Sequence, residues 1–343
     1  MKLKIAILSA FTLAFGTLKA QDVHFSAMDY SPMTINPAMA GAKYHLQATA
    51  NYRNQWSAVA TPYQTVGAGF DMRFGNKKQH GDGFLALGVN FNNDNVGENQ
   101  VISNNMGISV AYHLKINTEH TLGLGIQGGF GQRSLNHNNG QWGNQYNGSA
   151  YDANLPTGEN IDRASFSFFD ASAGMVYTYK PFQTSRKNNG MNLNIGLAAF
   201  HLNQPKYSFI KDTEELYVRG AVFAMAEFGI ANKPMAIEPQ IVVQFQGPSL
   251  ETFIGTDYRF FLGQGTSMNG FYDGTSLAVG MFYRNRDALI TRFSVRFGGI
   301  DAGLAYDFNV FSSLTQTSRG RGGVEVYLRY IINSPSNTTR ARI

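Results

Sequence analysis

The feature that most constrains this chain is an alternation of apolar and polar residues that recurs in blocks of about ten residues. In the block 300–309, Ile300 and Leu304 share one face, while Asp301 and Asp307 share the other. Residues that alternate in this way lie on opposite faces of a β-strand. Gly, Asn, Asp and Ser residues separate the blocks, as turns require. Because no long stretch has a helical apolar period, the pattern predicts an all-β chain.

Reading every such block predicts about fourteen antiparallel strands. They fall near 44–54, 62–74, 83–93, 101–115, 119–131, 164–180, 191–202, 216–229, 235–246, 250–261, 275–285, 288–297, 300–309 and 324–332. Alternating strands of about ten residues in an even number are typical of an outer-membrane β-barrel. In lipid every backbone group must pair internally, and only a closed barrel lets strands do so. A large soluble β-sandwich or barrel is the alternative.

Composition favours the membrane barrel. Charged residues make up 15% of the chain, well below the ~25% of an average soluble protein, and a soluble β-protein would carry more surface Lys and Glu. Aromatic residues at 13% and 37 glycines in 343 residues argue against disorder. The absence of cysteine excludes disulfide frameworks and thiolate metal sites.

The N-terminus predicts a secretory signal peptide. A short basic region at 1–4 precedes an apolar run at 5–18, and cleavage is expected after Ala20. The apolar run is too short for a spanning helix. Cleavage removes three lysines with residues 1–20 and lowers the formal net charge from +5 to +2. A charge this small does not indicate a nucleic-acid partner. The predicted organisation is a signal peptide at 1–20, an extended segment at 21–43, a transmembrane barrel at 44–332 and a polar tail at 333–343.

Motifs for catalysis or cofactor binding are weak. Residues 123–128 match G-x-G-x-x-G, but a dinucleotide site needs a helix directly after the motif, and this match lies inside a predicted strand. Glycines that ease a curved, tightly packed wall are the favoured interpretation. The histidines lack metal-ligand spacing, and no G-x-S-x-G elbow occurs. We therefore expect no catalytic residue, no bound metal and no cofactor.

Charges of both signs fall on the face that would line the lumen. Opposed signs inside a barrel are expected to pair and to fill it, and a selectivity ring in an open pore is the alternative. The residues are Arg219, Glu227, Glu238, Asp257, Arg259, Arg284, Arg292, Arg296, Asp301 and Arg329.

A more specific signal lies around the first two strands. Residues 25–41 read FSAMDYSPMTINPAMAG, 52–56 read YRNQW, and 62–65 read PYQT. These segments resemble the PorP/SprF family of type IX secretion system membrane proteins from the Bacteroidetes. The matching elements are the Phe-Ser opening, Ile-Asn-Pro-Ala-x-Ala-Gly, Tyr-Arg-Asn-Gln-Trp and Pro-x-x-Thr. With Gly-Gly-x-Glu-Val-x-Leu-x-Tyr at 322–330, the resemblance extends over nearly the whole chain.

The resemblance singles out a motif that either plugs the lumen or docks a partner, with plugging favoured. Its residues are Phe25, Asn36, Pro37, Gly41, Arg53, Asn54, Gln55 and Trp56. Trp56, at a strand end, is also expected to anchor the barrel at the membrane interface. A predicted surface loop at 132–163 carries Trp142, Tyr146 and Tyr151, which are candidate partner contacts.

The resemblance further implies a non-enzymatic outer-membrane protein that docks, secretes or retains a large surface adhesin. Its expected partners are that adhesin or its C-terminal sorting domain, the lipid bilayer and other type IX components, including periplasmic peptidoglycan-linked ones. Some family members are linked to gliding motility. A passive channel or hydrophobic-solute transporter is the alternative function, because fourteen strands can enclose a passage.

Overall fold

A computed structural model describes most of the chain. The described residues are 22–59, 61–74, 83–136, 141–158, 164–181, 190–209, 214–262, 275–310 and 315–332. The predicted signal peptide at 1–20 and the predicted polar tail at 333–343 lie outside these residues.

Within the described residues, fourteen antiparallel strands form a closed barrel in which each strand pairs with the next and β1 pairs with β14. The strands are β1 (Leu46–Gln55), β2 (Tyr63–Phe74), β3 (Gly83–Val96), β4 (Val101–Lys115), β5 (His120–Ser134), β6 (Ser165–Tyr179), β7 (Met191–Phe200), β8 (Arg219–Gly229), β9 (Met235–Gln246), β10 (Ser249–Phe261), β11 (Ser276–Arg284), β12 (Ala288–Phe297), β13 (Ile300–Phe308) and β14 (Arg321–Ile332). The predicted fold class is confirmed. The strand ends agree with their predicted positions to within three residues.

The two faces of the wall differ as the alternation predicts. In β14, Val326 and Leu328 are exposed on the outside, while Glu325 and Arg329 are buried inside. An apolar outer surface around a charged interior reverses the usual arrangement of a soluble protein and fits a wall that faces lipid. Among the helices of the described residues, none has the length and apolar content needed to cross a membrane.

Connections of unequal length distinguish the two ends of the barrel. At one end, called here the loop end, the connections are 56–62, 97–100, 135–164, 201–218, 247–248, 285–287 and 309–320. At the other, called the turn end, they are 75–82, 116–119, 180–190, 230–234, 262–275 and 298–299. The predicted end of the third strand at residue 93 is too early, because β3 continues to Val96 and stays paired with β4 up to Val101. Backbone pairing there continues through polar residues, beyond the apolar alternation on which the prediction depended.

The segment that precedes β1, residues 22–45, runs through the lumen from the loop end to the turn end, and we call it the lumen segment. Near the loop end Asp22 contacts His201, and near the turn end Gly41 contacts Asp71. One-turn helices interrupt its extended backbone at Met28–Tyr30, Pro32–Ile35 and Pro37–Met39. Prolines occupy the first positions of the last two turns, where a missing N–H is tolerated. Two further turns lie in the loops, at Gly143–Gln145 and Thr315–Ser318.

Candidate functional site

The contacts of the lumen segment begin where the barrel closes. The backbone N–H of Ser26 donates to the Glu325 carboxylate on β14, and the Ser26 hydroxyl donates to Asp307 on β13 at 2.6 Å. Arg53 on β1 donates to the same Asp307 carboxylate at 2.6 Å, and Arg284 lies 3.2 Å from it. All of these side chains are buried. Ser26 therefore contacts both of the last two strands, and the Asp307 carboxylate that it shares with Arg53 links this group to the first strand.

A second group is centred on Asp29. Its carboxylate lies 2.9 Å from Arg292 and 3.1 Å from Arg329, and Arg329 also lies 3.8 Å from the ring centroid of Tyr30. Both guanidinium groups therefore share one carboxylate, and Asp29 supplies negative charge that the arginines of the wall need.

The remaining lumen charges also have partners. Arg259 pairs with Glu238 on the neighbouring strand, and Arg296 pairs with Asp301 at 2.8 Å. Glu227 accepts a hydrogen bond from Asn192 at 3.1 Å. The prediction that opposed charges pair and fill the lumen is confirmed for these described residues. A ring of one sign, which a selectivity filter requires, does not form from them.

Asn36 ties the lumen segment to β6 and β7. Its side-chain amide donates to the backbone oxygens of Met175 at 2.9 Å and Leu197 at 3.0 Å, two residues that face each other across the strand pair. Its side-chain oxygen accepts from the backbone N–H of Ala38 at 2.8 Å and so caps the turn that follows. A single amide therefore fixes both the local turn and its place on the wall.

Glycines in the wall let the lumen segment approach closely. A Cβ on Gly125 would lie 2.5 Å from the backbone nitrogen of Ala38, and one on Gly174 would lie 2.1 Å from the side-chain oxygen of Asn36. Contacts this short do not occur without movement of the backbone or the neighbour. Gly125 belongs to the motif at 123–128, which lies within β5. The structure therefore favours the packing interpretation of this motif over the dinucleotide interpretation.

At the turn end, Gly41 bends the lumen segment toward β1. Its φ of +65° suits glycine, and a Cβ there would lie 2.5 Å from that of Ala86. Its N–H donates to Asp71 at 2.8 Å. Arg73 donates to the backbone oxygens of Gly41 and Ala42. Both the backbone conformation and the space therefore require glycine at this position.

At the loop end, Asp22 is held by an ionic cluster, called here the Asp22 cluster. His201 lies 2.7 Å from Asp22 through Nε2 and 2.9 Å from Asp170 through Nδ1, and Arg219 lies 3.1 Å from Asp22. Burial lowers the pKa of His201, but the two carboxylates outweigh it and raise that pKa to about 9. His201 is therefore charged at neutral pH. No sequence spacing connects these residues, and of them the sequence analysis named only Arg219, as a lumen charge.

A cavity of about 350 Å³, called here the vestibule, opens at the loop end beside the first residues of the lumen segment. Its lining includes Arg53, Gln55, Trp56, Tyr63, Asn105 and Tyr207. Trp56 packs edge-on against Tyr63, with ring centroids 4.7 Å apart. Its ring therefore lies at the vestibule, and the expected role of Trp56 as an interface anchor stays a prediction. The left-handed backbone of Trp56, with φ of 57°, turns the chain inward at this point.

Most residues singled out by the family resemblance meet at the lumen segment or the vestibule. Phe25 is buried and packs so closely on Gly67 that a Cβ there would lie 2.6 Å from its ring. Pro37 starts the turn that Asn36 caps. Asn54 lies on the opposite face of β1 from Arg53 by strand alternation, so it does not join them.

The aromatic residues predicted in the long loop lie apart from that group. Trp142 immediately precedes the short turn Gly143–Gln145. Tyr146 and Tyr151 form an isolated β-bridge with each other, and both side chains are exposed. The structure therefore provides two separate features at the loop end, which are an inward vestibule and an outward aromatic loop.

Comparison with known proteins identifies one family match. The model of the family described as type IX secretion system membrane protein PorP/SprF matches residues 17–330. No curated protein matches the chain significantly.

Solved structures that resemble the chain are membrane barrels. The monoaromatic hydrocarbon channel CymD has a TM-score of 0.46 and 11% identity, with coverage of 89% of this chain and 93% of that one. A Pseudomonas aeruginosa FadL homologue has a TM-score of 0.44 and 10% identity, with coverage of 86% and 92%. The KdgM porin has a TM-score of 0.38 and 6% identity, with coverage of 83% and 99%. All three TM-scores are below 0.5, and the assignment of the fold therefore rests on the strand pairing of this chain.

The close packing at Gly125 is tested by two matched substitutions in β5. Gly125→Ala should destabilise the barrel by about 1–3 kcal/mol, because the added methyl group displaces Ala38. Gly128→Ala is the control, since nothing lies within 4 Å of a Cβ at that position. Amide hydrogen exchange over 36–41 should speed up only in Gly125→Ala. Equal exchange in both variants would show that the lumen segment does not press on this wall.

The charge on His201 predicts a pH dependence. Its pKa rises from 6.5 to about 9 on folding, so its contribution is complete below the unfolded value and is lost as pH rises through about 9. The free energy of unfolding should fall by on the order of 3 kcal/mol over that range. His201→Gln should flatten this part of the curve in denaturant titrations. Superimposable pH profiles for the two proteins would contradict the prediction.

Proposed function

The chain belongs to the PorP/SprF family of type IX secretion system membrane proteins, and we propose that it is a filled outer-membrane barrel that docks a secreted surface protein. The occupant proposed for the docking surface is a large adhesin or its C-terminal sorting domain. In this proposal residues 1–20 direct export and are removed, and residues 21–43 fill the lumen permanently. The barrel then acts through its surfaces and has no enzymatic role.

The observation that carries the proposal is the lumen segment itself. It contacts the wall at the loop end through Asp22, near the middle through Asp29 and Asn36, and at the turn end through Gly41. Removing one partner of a buried ion pair typically lowers the stability of a protein by about 3–5 kcal/mol, because the other charge stays buried without compensation. Several such pairs hold the lumen segment in place, which favours a permanently filled lumen over a segment that moves aside to let a solute pass.

The loop end supplies the proposed docking surface. Tyr146, Tyr151 and Tyr217 are exposed there, outside the strands. Tyrosine is enriched where protein surfaces meet, because it buries a large apolar ring and keeps a polar end. The turn end, whose connections are the shorter set as a whole, would face the periplasm in an outer-membrane barrel. That end is the proposed contact for other type IX components, including peptidoglycan-linked ones, and for a role in gliding.

Mild-detergent isolation of the tagged protein from its own membranes tests docking. A large surface protein, or its C-terminal domain, should co-purify in stoichiometric amount. Replacing Tyr146 and Tyr151 together by Ser should lower its recovery about tenfold, because two truncated interface anchors typically lose at least 1 kcal/mol each. Tyr258→Ser, on the exposed face of β10, is the matched control. Repeated recovery of the barrel alone would contradict docking.

A passive channel or hydrophobic-solute transporter is the second candidate, and the open vestibule favours it. Planar-bilayer recording distinguishes the two functions. We expect no steady conductance from the intact protein and a stable open pore after deletion of residues 22–43. A defined, selective conductance in the intact protein would replace the docking proposal with the channel.

A further inference from the structure

The vestibule is large enough to hold a small ligand. Its volume of about 350 Å³ falls within the ~300–1,000 Å³ of typical ligand pockets. A second space of about 90 Å³ shares Asp22, Val23, Asn105 and Tyr207 with it and extends toward Asn92. The two spaces share these walls and are called here the recess, and residues of the lumen segment line both. The recess lies outside the ionic groups that hold that segment at its middle and at the turn end.

The charged groups in this recess are already engaged. Arg53 is bound to Asp307, and Asp94 accepts a hydrogen bond from Thr65 at 2.7 Å. The Arg133 guanidinium lies over the Tyr207 ring at 4.7 Å. Asp22 belongs to the Asp22 cluster described above. Arg133 and Asp94 line the same cavity with one charge of each sign, so the recess suits a neutral ligand.

The amide groups, in contrast, are available. Among the described residues, the side chains of Gln55, Asn92 and Asn105 form no hydrogen bond with another protein group. Each amide offers two donors and one acceptor. Gln127 and Asn90, deeper in the same wall, bond to each other at 3.0 Å. The free amides therefore mark where an incoming polar molecule finds partners.

Aromatic rings complete the lining. Trp56, Tyr63 and Tyr207 contribute to the same cavity as Gln55 and Asn105. A sugar ring carries apolar C–H groups on its faces and hydroxyl groups at its edge. Rings beside amides match both parts of such a molecule, because aromatic surfaces cover the apolar faces and amides both donate to and accept from hydroxyls. A lipid or hydrocarbon would leave the amides without partners, which is unfavourable.

We propose that the vestibule binds a neutral oligosaccharide, with sugar rings against Trp56 and Tyr63 and hydroxyl groups bonded to Gln55 and Asn105. This site is separate from the proposed docking surface at Tyr146 and Tyr151. It would let the barrel bind a glycan carried by the cell surface or by a secreted protein while its lumen stays filled.

The two tryptophans of the chain make a direct test possible. Because Trp56 and Trp142 are the only ones, Trp142→Phe leaves a single fluorescent reporter inside the vestibule. The purified barrel is titrated with neutral tetrasaccharides of glucose, mannose, galactose and N-acetylglucosamine at millimolar concentrations. At least one should change the Trp56 emission saturably. In the same background, Gln55→Ala combined with Asn105→Ala should raise the Kd about tenfold or more.

Two controls keep the test decisive. Asn192→Ala removes a lumen amide near the turn end and should leave the Kd unchanged, and retained heat-modifiable migration on gels verifies that each variant is folded. The proposal is overturned if no tetrasaccharide gives a saturable change, or if the double variant binds as tightly as its parent. Saturation by a neutral Gly-Ser hexapeptide alone would assign the vestibule to peptide instead. Because no protein partner is present, these outcomes do not depend on whether docking occurs.

Discussion

In a bilayer no water is available to the backbone, and the whole structure depends on that constraint. A closed barrel satisfies it by pairing β1 with β14, but closure also creates an interior that must be occupied or hydrated. Here the lumen segment occupies the interior. The arginines of β12 and β14 need counter-charge away from lipid, and Asp29 of the lumen segment supplies it. The wall and its filling are therefore one electrostatic unit.

The glycines of the wall are likewise explained by the need to fit the lumen segment inside the barrel. A fourteen-stranded wall with ordinary side chains on its inner face would leave little room for a second layer of backbone. Gly125 and Gly174 remove those side chains where Ala38 and Asn36 pass. Elsewhere the inner face carries Arg, Asp and Glu that reach toward the segment. On the inner face, glycines thus allow close contact with the lumen segment, while charged residues pair with opposite charges elsewhere.

The sequence predicted the strands well because their alternation is a local property that needs no knowledge of neighbours. The prediction ended β3 too early, because its last residues are polar and break the apolar alternation. Their backbone nevertheless stays paired with β4 up to Val96. The place of Trp56 at the vestibule could not be predicted, because its left-handed backbone is invisible in the alternation. The Asp22 cluster could not be predicted, since the pairing of β6 with β7 places Asp170 beside His201 and only the path of the lumen segment brings Asp22 to them. Of the motif residues identified by resemblance, Phe25, Asn36, Gly41 and Arg53 make contacts within or with the lumen segment, which their spacing alone does not reveal.

The bond between Ser26 and Glu325 joins positions 299 residues apart. It can form only once the last strand lies beside the first, because Glu325 pairs with Arg53 across that seam. Contacts of such long sequence separation form late and slowly. Once closure is complete, β1 tethers the segment at the turn end while the Asp22 cluster holds it at the loop end. The segment's residence in the lumen is thus a matter of kinetics as well as affinity, because sideways escape would require the seam between β1 and β14 to reopen.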